Sequence, residues 1–268
     1  VQSKNIKLLQ FIDYLEGVLS KGNYKLYKSF KNRFLQFYRK DILISDVDIN
    51  LIRDYELFLK RKGNKPNGIS AQMRTFRSTI NKAIEKYELN IKNPFKKYEI
   101  ISQHPDSPAL NISYIYAIKN LELKGKLKLV RDVFLFSFYC MGMNLSNICF
   151  LEKSQIQGNY IIYIRKKLQN RSTKKGKIEL TQTIRKLIEE WDNDSRYVFP
   201  IIKNDPDKDY DNFKRYVNKK LKEIGNMIDC PVRLTTNVAR HTWASRAVEL
   251  GIPLSTIKEG LLHNSIRT

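Results

Sequence analysis

The stretch that most constrains this chain is its last, Arg233 to Thr268: RLTTNVARHTWASRAVELGIPLSTIKEGLLHNSIRT. Ala239, Trp243, Ala247 and Leu250 recur at i, i+4, i+8 and i+11, which is one face of an α-helix. Gly251 stops that helix and Pro253 cannot continue it. A second short helix follows, with Leu254, Ile257, Leu261 and Leu262 as its apolar side. Two compact helices of this kind bring Arg240 and His263 toward one pocket, although the two residues are far apart in sequence.

A pocket built from an arginine and a histidine invites an anion, and the composition says the same. The 268 residues include 49 Lys and Arg against 27 Asp and Glu, a formal net charge of +22. That excess favours a polyanion, nucleic acid above all. A membrane-spanning role is excluded on length. The longest apolar run, Val133 to Met143, is broken by Ser137 and Gly142 and falls short of the ~20 residues a spanning helix needs. The three cysteines, Cys140, Cys149 and Cys230, have no C-x-x-C spacing, and an odd number argues against a disulfide framework. A reducing cytoplasm fits them. The sequence opens VQSKNIKLLQF, without an initiator Met or a secretory signal. A fragment of a longer product is therefore expected.

Four helices are expected first. Ile6, Leu9, Phe11, Ile12, Leu15 and Leu19 give an amphipathic helix over about 5–19, broken at Gly22-Asn23. A second, over about 24–38, carries Tyr27, Phe30, Phe34 and Phe37 on one face. Asp48 can cap a third, over about 51–61. After a basic turn containing Lys65, a fourth starts near Ser70, with Ile69, Met73, Phe76, Ile80, Ala83, Ile84 and Tyr87 as its core face. Its polar stripe, Ser70, Arg74, Arg77 and Asn81, has no acidic i+4 partner for either arginine. Lys65, Ser70, Arg74 and Arg77 are thus candidate contacts to a nucleic-acid backbone, against the bland alternative of a solvated helix face. Asn93-Pro94-Phe95 ends the unit.

Pro105, Ser107 and Pro108 mark a linker, in which His104 is given no role. Ser113 can cap a helix running to about Lys124, and a strongly apolar helix follows over about 130–139. The turn Cys140-Met141-Gly142-Met143-Asn144 comes next. Tyr160 to Arg165 and Lys177 to Leu180 read as strands of a β-hairpin with a long basic tip between them. Helices are expected over about 183–191 and 211–224.

These strings resemble the tyrosine recombinases, the phage-integrase family. ARHTWAS (Ala239 to Ser245) is similar to that family's R-H-T-F-A-T. LGIPLSTIKEGLLHNSI (Leu250 to Ile266) is similar to its G-V-P-L followed by L-G-H-S-S-I. The resemblance implies a mainly α fold with a small β-hairpin or sheet. It implies an N-terminal four-helix core-binding domain over 1–98, a linker over 99–110 and a catalytic domain over 111–268. It also implies a reaction: a tyrosine attacks a DNA phosphodiester, forming a 3′-phosphotyrosyl link, and no metal or cofactor is required. Arg240 would hold the nonbridging oxygens and His263 would donate to the same phosphate. A hairpin lysine, Lys167 with Lys166 and Lys174 as rivals, would protonate the leaving oxygen.

Three departures qualify the resemblance. Asn144 stands where the family carries its first catalytic arginine, and a carboxamide offers no charge. Asn237 stands where a histidine is usual, three residues before Arg240. None of the 15 tyrosines follows His263, so the nucleophile is expected beyond Thr268 and the 268 residues alone are expected to bind DNA without cleaving it. His241 is read as structural. The expected partner is double-stranded DNA gripped by both domains, with a tetramer on DNA and a monomer in solution, in the bacterial cytoplasm and nucleoid-associated. A mobile-element integrase is the leading reading. A catalytically degenerate DNA-binding factor on the same fold is the alternative, and a helical RNA-binding or scaffold protein a remoter one.

Overall fold

A computed structural model describes residues 5–103, 108–165 and 175–262. The chain divides into two compact units, Val1–Pro105 and Asp106–Thr268.

The first unit holds α1 (Leu8–Tyr14), α2 (Lys21–Tyr38), α3 (Ile49–Arg61) and α4 (Pro66–Tyr87). The aromatic periodicity of α2 and α4 builds its core. Phe30, Phe34, Tyr55 and Phe76 are each 0% exposed, and Phe30 stacks on Phe76 with ring centroids 4.9 Å apart. Each such ring contributes roughly 1.5–3 kcal/mol by burial. Asp48 caps α3 as expected, accepting from the Leu51 N–H at 2.8 Å. Several expected boundaries move. α1 ends at Tyr14, and turns rather than helix carry the chain on toward Leu19. Gly22 and Asn23 lie inside the first turn of α2 instead of breaking the chain before it. The first four N–H groups of a helix have no intrahelical acceptor, so weak helix formers are tolerated there. α4 begins at Pro66, a residue suited to the first helical position.

The second unit packs α10 (Thr236–Glu249) against α6 (Gly125–Tyr139), with α5 (Ile112–Asn120), α8 (Gln182–Glu190) and α9 (Pro206–Met227) around α6. α6 is apolar nearly all round because it is the buried centre; Val130, Val133, Phe134, Leu135 and Phe136 are all buried. Its one buried carboxylate, Asp132, accepts from Arg131 Nε at 2.8 Å and from Trp191 Nε1 at 2.9 Å. Asn111, not Ser113, caps α5: its side chain accepts from the Ser113 N–H at 3.0 Å. The hairpin is present and gains a third strand. β1 (Ile156–Gln157), β2 (Tyr160–Ile164) and β3 (Lys175–Glu179) form an antiparallel sheet in that order. The pairs Ile161–Ile178 and Tyr163–Gly176 fall on its buried face. The end of the chain behaves as the punctuation demands. α10 stops, Gly251 takes a φ of +73°, and α11 (Leu254–Gly260) follows. Leu250, expected on the apolar face, is 63% exposed: it sits past the last helical turn, where the chain swings away. Leu254 is exposed for the same reason of position, at the head of α11, and Ile257 and Leu262 do the packing.

Candidate active site

Arg240 lies in the second turn of α10, on a helix anchored at both ends of its first turns. Asn218 on α9 accepts the Thr236 N–H at 3.1 Å. The buried Thr242 hydroxyl donates to the Val238 carbonyl at 2.7 Å and accepts from the Leu110 N–H at 3.0 Å. From this fixed helix the Arg240 guanidinium reaches two backbone carbonyls. Nη1 donates to Gly142 O at 2.6 Å and Nη2 to Leu261 O at 2.7 Å. One carbonyl belongs to the turn after α6, the other to the turn after α11. The side chain thus ties together the turn after α6 and the turn after α11.

Gly142 makes the first of those contacts possible. Its φ is +69°, and a Cβ there would stand 2.7 Å from Arg240 Cγ and 3.0 Å from Arg240 Cα. Met141 just before it is also left-handed, with φ of +53°. Two such residues in succession fold the chain back sharply, and Ser137 Oγ pins the fold by donating to Met143 O at 2.8 Å. Near the second contact, Gly176 of β3 packs closely: a Cβ there would stand 2.9 Å from Tyr163 Cε1 and 3.0 Å from Leu262 Cδ1.

Asn144 occupies the N-cap position of α7 (Leu145–Cys149), yet its side chain makes no capping bond. Asparagine is among the best N-cap residues, worth about 1 kcal/mol there. Its carboxamide is used elsewhere. With its oxygen turned toward Arg165, it accepts from Nη2 at 3.0 Å and from Nε at 3.1 Å. Arg165 stands immediately after β2 and extends Nη1 toward Leu262 O at 3.4 Å. The sequence reading did not single out Arg165. The available signal was the pairing of a missing cation at 144 with an arginine at a strand end, and that needs the fold to see.

The electrostatics reflect this crowding. Burial, and then the charge of Arg165, push Arg240 down to about 10; it remains protonated at neutral pH. Two guanidinium groups held close enough to oppose one another, on carbonyl and carboxamide oxygens, form a site that an anion relieves. Tyr163 feels both arginines, but burial dominates and its phenol is pushed up to about 12. A buried, reluctant phenol of this kind is no nucleophile. His241 is half-buried and its pKa is lowered, first by burial and then by Arg240, which favours the neutral imidazole.

Other expected site residues separate. Asn237 is exposed in the first turn of α10. His263, Lys166, Lys167 and Lys174 lie outside the described residues. In the first unit Lys65, Arg74 and Arg77 are exposed, and none of that unit's ion pairs between described residues uses them. Ser70 corrects its assignment. It is 1% exposed and its Oγ accepts from Arg74 Nη2 at 3.0 Å, so it braces an arginine and offers no surface of its own. Among the described residues, no helix is long and apolar enough to cross a membrane.

Residues 113–268 match the family model described as "Phage integrase family", and residues 8–100 match "Phage integrase SAM-like domain". The tyrosine recombinase XerC of Rickettsia bellii (strain OSU 85-389) is 26% identical over 257 residues, covering 88% of this chain and 79% of that protein. The Tn1549 transposon integrase, solved in complex with transposon right end DNA, superposes with a TM-score of 0.72 at 13% identity, over 97% of this chain and 92% of that one. The lambda integrase, solved as a tetramer bound to a Holliday junction, superposes with a TM-score of 0.69 at 14% identity, over 98% of this chain and 76% of that one.

Proposed function

Since this chain belongs to the phage integrase family, the tyrosine recombinases, and is a site-specific recombinase, we propose that it acts as the integrase of a mobile element, cutting and rejoining duplex DNA through a 3′-phosphotyrosyl intermediate. The observation that carries this reading is the Arg240 guanidinium, fixed by two carbonyls and crowded by a second cation. Such a group is prepared for a phosphodiester, whose nonbridging oxygens gain charge as the transition state forms.

In the reaction a tyrosine oxygen bonds to phosphorus and the bond from phosphorus to the 5′ oxygen breaks. The strand leaves as a 5′-hydroxyl after taking a proton, and the energy of the phosphodiester is kept in the phosphotyrosyl link. A second 5′-hydroxyl reverses the step on a new partner. Arg240 orients the phosphate throughout. His263, directly after Leu262 in sequence, would donate to the same oxygens. Lys167 on the segment between β2 and β3 would supply the proton, with Lys166 and Lys174 gripping backbone. Asn237 would offer a neutral hydrogen bond where a histidine is usual. The first unit would act as the core-binding domain, with Lys65, Arg74 and Arg77 on backbone phosphates. Assembly into a tetramer on DNA, as in the lambda integrase complex, would bring two sites together.

A second reading has specific support: Asn144 and Asn237 both replace charged or titratable groups, which suits a DNA-binding factor without catalysis. One experiment separates the two. The complete protein is mixed with a nicked suicide duplex selected for tight binding from a randomised pool. A covalent adduct, mapped to a tyrosine by mass spectrometry, is the expected result. Tight binding without any adduct supports the binding factor and rejects the recombinase chemistry.

A further inference from the structure

Arg240 and Arg165 are held in parallel by the same two turns. The turn after α6 gives Arg240 a backbone carbonyl, Gly142 O, and gives Arg165 a side-chain oxygen, that of Asn144 two residues on. The turn after α11 gives them consecutive carbonyls, Leu261 O to Arg240 and Leu262 O to Arg165. The two arginines arrive from unrelated elements, one from the middle of a helix and one from the end of a strand, yet share one mount. Asn144 holds the N-cap position of α7 without a side-chain capping bond, and its carboxamide serves Arg165 instead.

We propose that Arg165 is a catalytic residue: it supplies, from the end of β2, the second guanidinium on the scissile phosphate, and Asn144 is the positioning residue that aims it. The inference rests on the recombinase reading and adds to it the source of the charge that position 144 lacks. A fork-shaped cation suits the task because it can accept orientation through some of its N–H groups and still present others. Three of its five N–H groups meet Asn144 and Leu262, an arrangement a lysine could not reproduce. Two cations set against one another would otherwise be unfavourable. Burial, and after it the charge of Arg165, lowers the pKa of Arg240, and a phosphate between the two cations would turn their repulsion into attraction. The charge has in effect changed elements: the position after the α6 turn has become the acceptor, and the strand end has become the donor.

The test uses the complete protein and the same selected suicide duplex, in single-turnover cleavage with parallel measurement of DNA affinity and melting temperature. Arg165→Ala should lower the cleavage rate by about 10²–10³-fold, the range for losing one preorganised transition-state donor, while DNA affinity changes by less than about tenfold. If that variant fails to fold, Arg165→Gln is measured instead; it retains a hydrogen-bonding partner for Asn144 and carries no charge, and the same loss is expected. Moving the charge back, as Asn144→Arg combined with Arg165→Ala, should recover at least about tenfold of the lost rate, which a merely structural role for Arg165 would not allow. An Arg165→Ala or Arg165→Gln protein that cleaves within about threefold of the parent overturns the assignment alone. A parent protein that binds the duplex and gives no adduct overturns the recombinase chemistry, and this assignment with it.

Discussion

On the proposed reading, the two units face DNA in opposite ways. In the first, a dense aromatic core of Phe30, Phe34, Tyr55 and Phe76 supports a helix whose exposed Arg74 and Arg77 project from α4. Both arginines are exposed, and Ser70 accepts from Arg74. In the second, Arg240 and Arg165 are partly buried and fixed by named oxygens on two turns. The first unit offers charge, which is tolerant of position. The second offers geometry, which is not. Substitutions in the first should therefore act in small, additive steps on binding, and substitutions in the second should act on the chemical step and steeply.

The largest effect expected from that contrast is at Gly142. Gly142→Ala forces a side chain into a left-handed backbone position and brings its Cβ to 2.7 Å from Arg240 Cγ. About 1–3 kcal/mol of stability should be lost. Cleavage should fall on the order of 10²-fold as Arg240 is displaced, since an ångström of misplacement is enough for that. Denaturant melts and single-turnover cleavage read both. A protein with the alanine and unchanged cleavage would show that the turn does not set the arginine.

A smaller effect is expected at Arg74 and Arg77. Each substitution to alanine should weaken binding about equally on all duplex sequences and reduce the slope of log affinity against log salt by roughly one. Adduct formation at saturating DNA should be unaffected. A salt titration by fluorescence anisotropy checks this, and a sequence-dependent loss would place these residues among determinants of specificity instead.

The smallest is at His241. Burial and Arg240 depress its pKa below the ordinary 6.5, so the unfolded chain binds the proton more readily than the folded one. Stability from the neutral imidazole is complete above pH ~6.5 and is lost as pH falls through the depressed value. His241→Gln should flatten that acid limb in melting curves taken between neutral and acid pH, without altering the neutral plateau of cleavage. An unchanged limb would mean that the imidazole is not held neutral by its surroundings.

What the sequence disclosed follows from the range of each signal. Helix periodicity is local, so the aromatic faces of α2 and α4 and the stop at Gly251 and Pro253 were legible. The empty charge at Asn144 was legible too, because the family that the chain resembles carries an arginine in that turn. Its counterpart was not. Arg165 meets Asn144 through strand placement, and no local pattern in β2 announces which way a terminal side chain turns. Ser70 was misread because a serine on a helix face looks the same in sequence whether it meets water or a neighbouring arginine. β1 has two residues, too few for alternation to register. Asn111 and Ser113 are both good caps two residues apart, and the chain uses the earlier.

The account turns on two guanidinium groups addressing one phosphate. A structure of the complete protein trapped on a nicked duplex tests it most directly. The expected result places Arg240 and Arg165 each within about 3 Å of oxygens on the scissile phosphate. A scissile phosphate held by Arg240 while Arg165 remains turned away, or one that meets neither side chain, would contradict it.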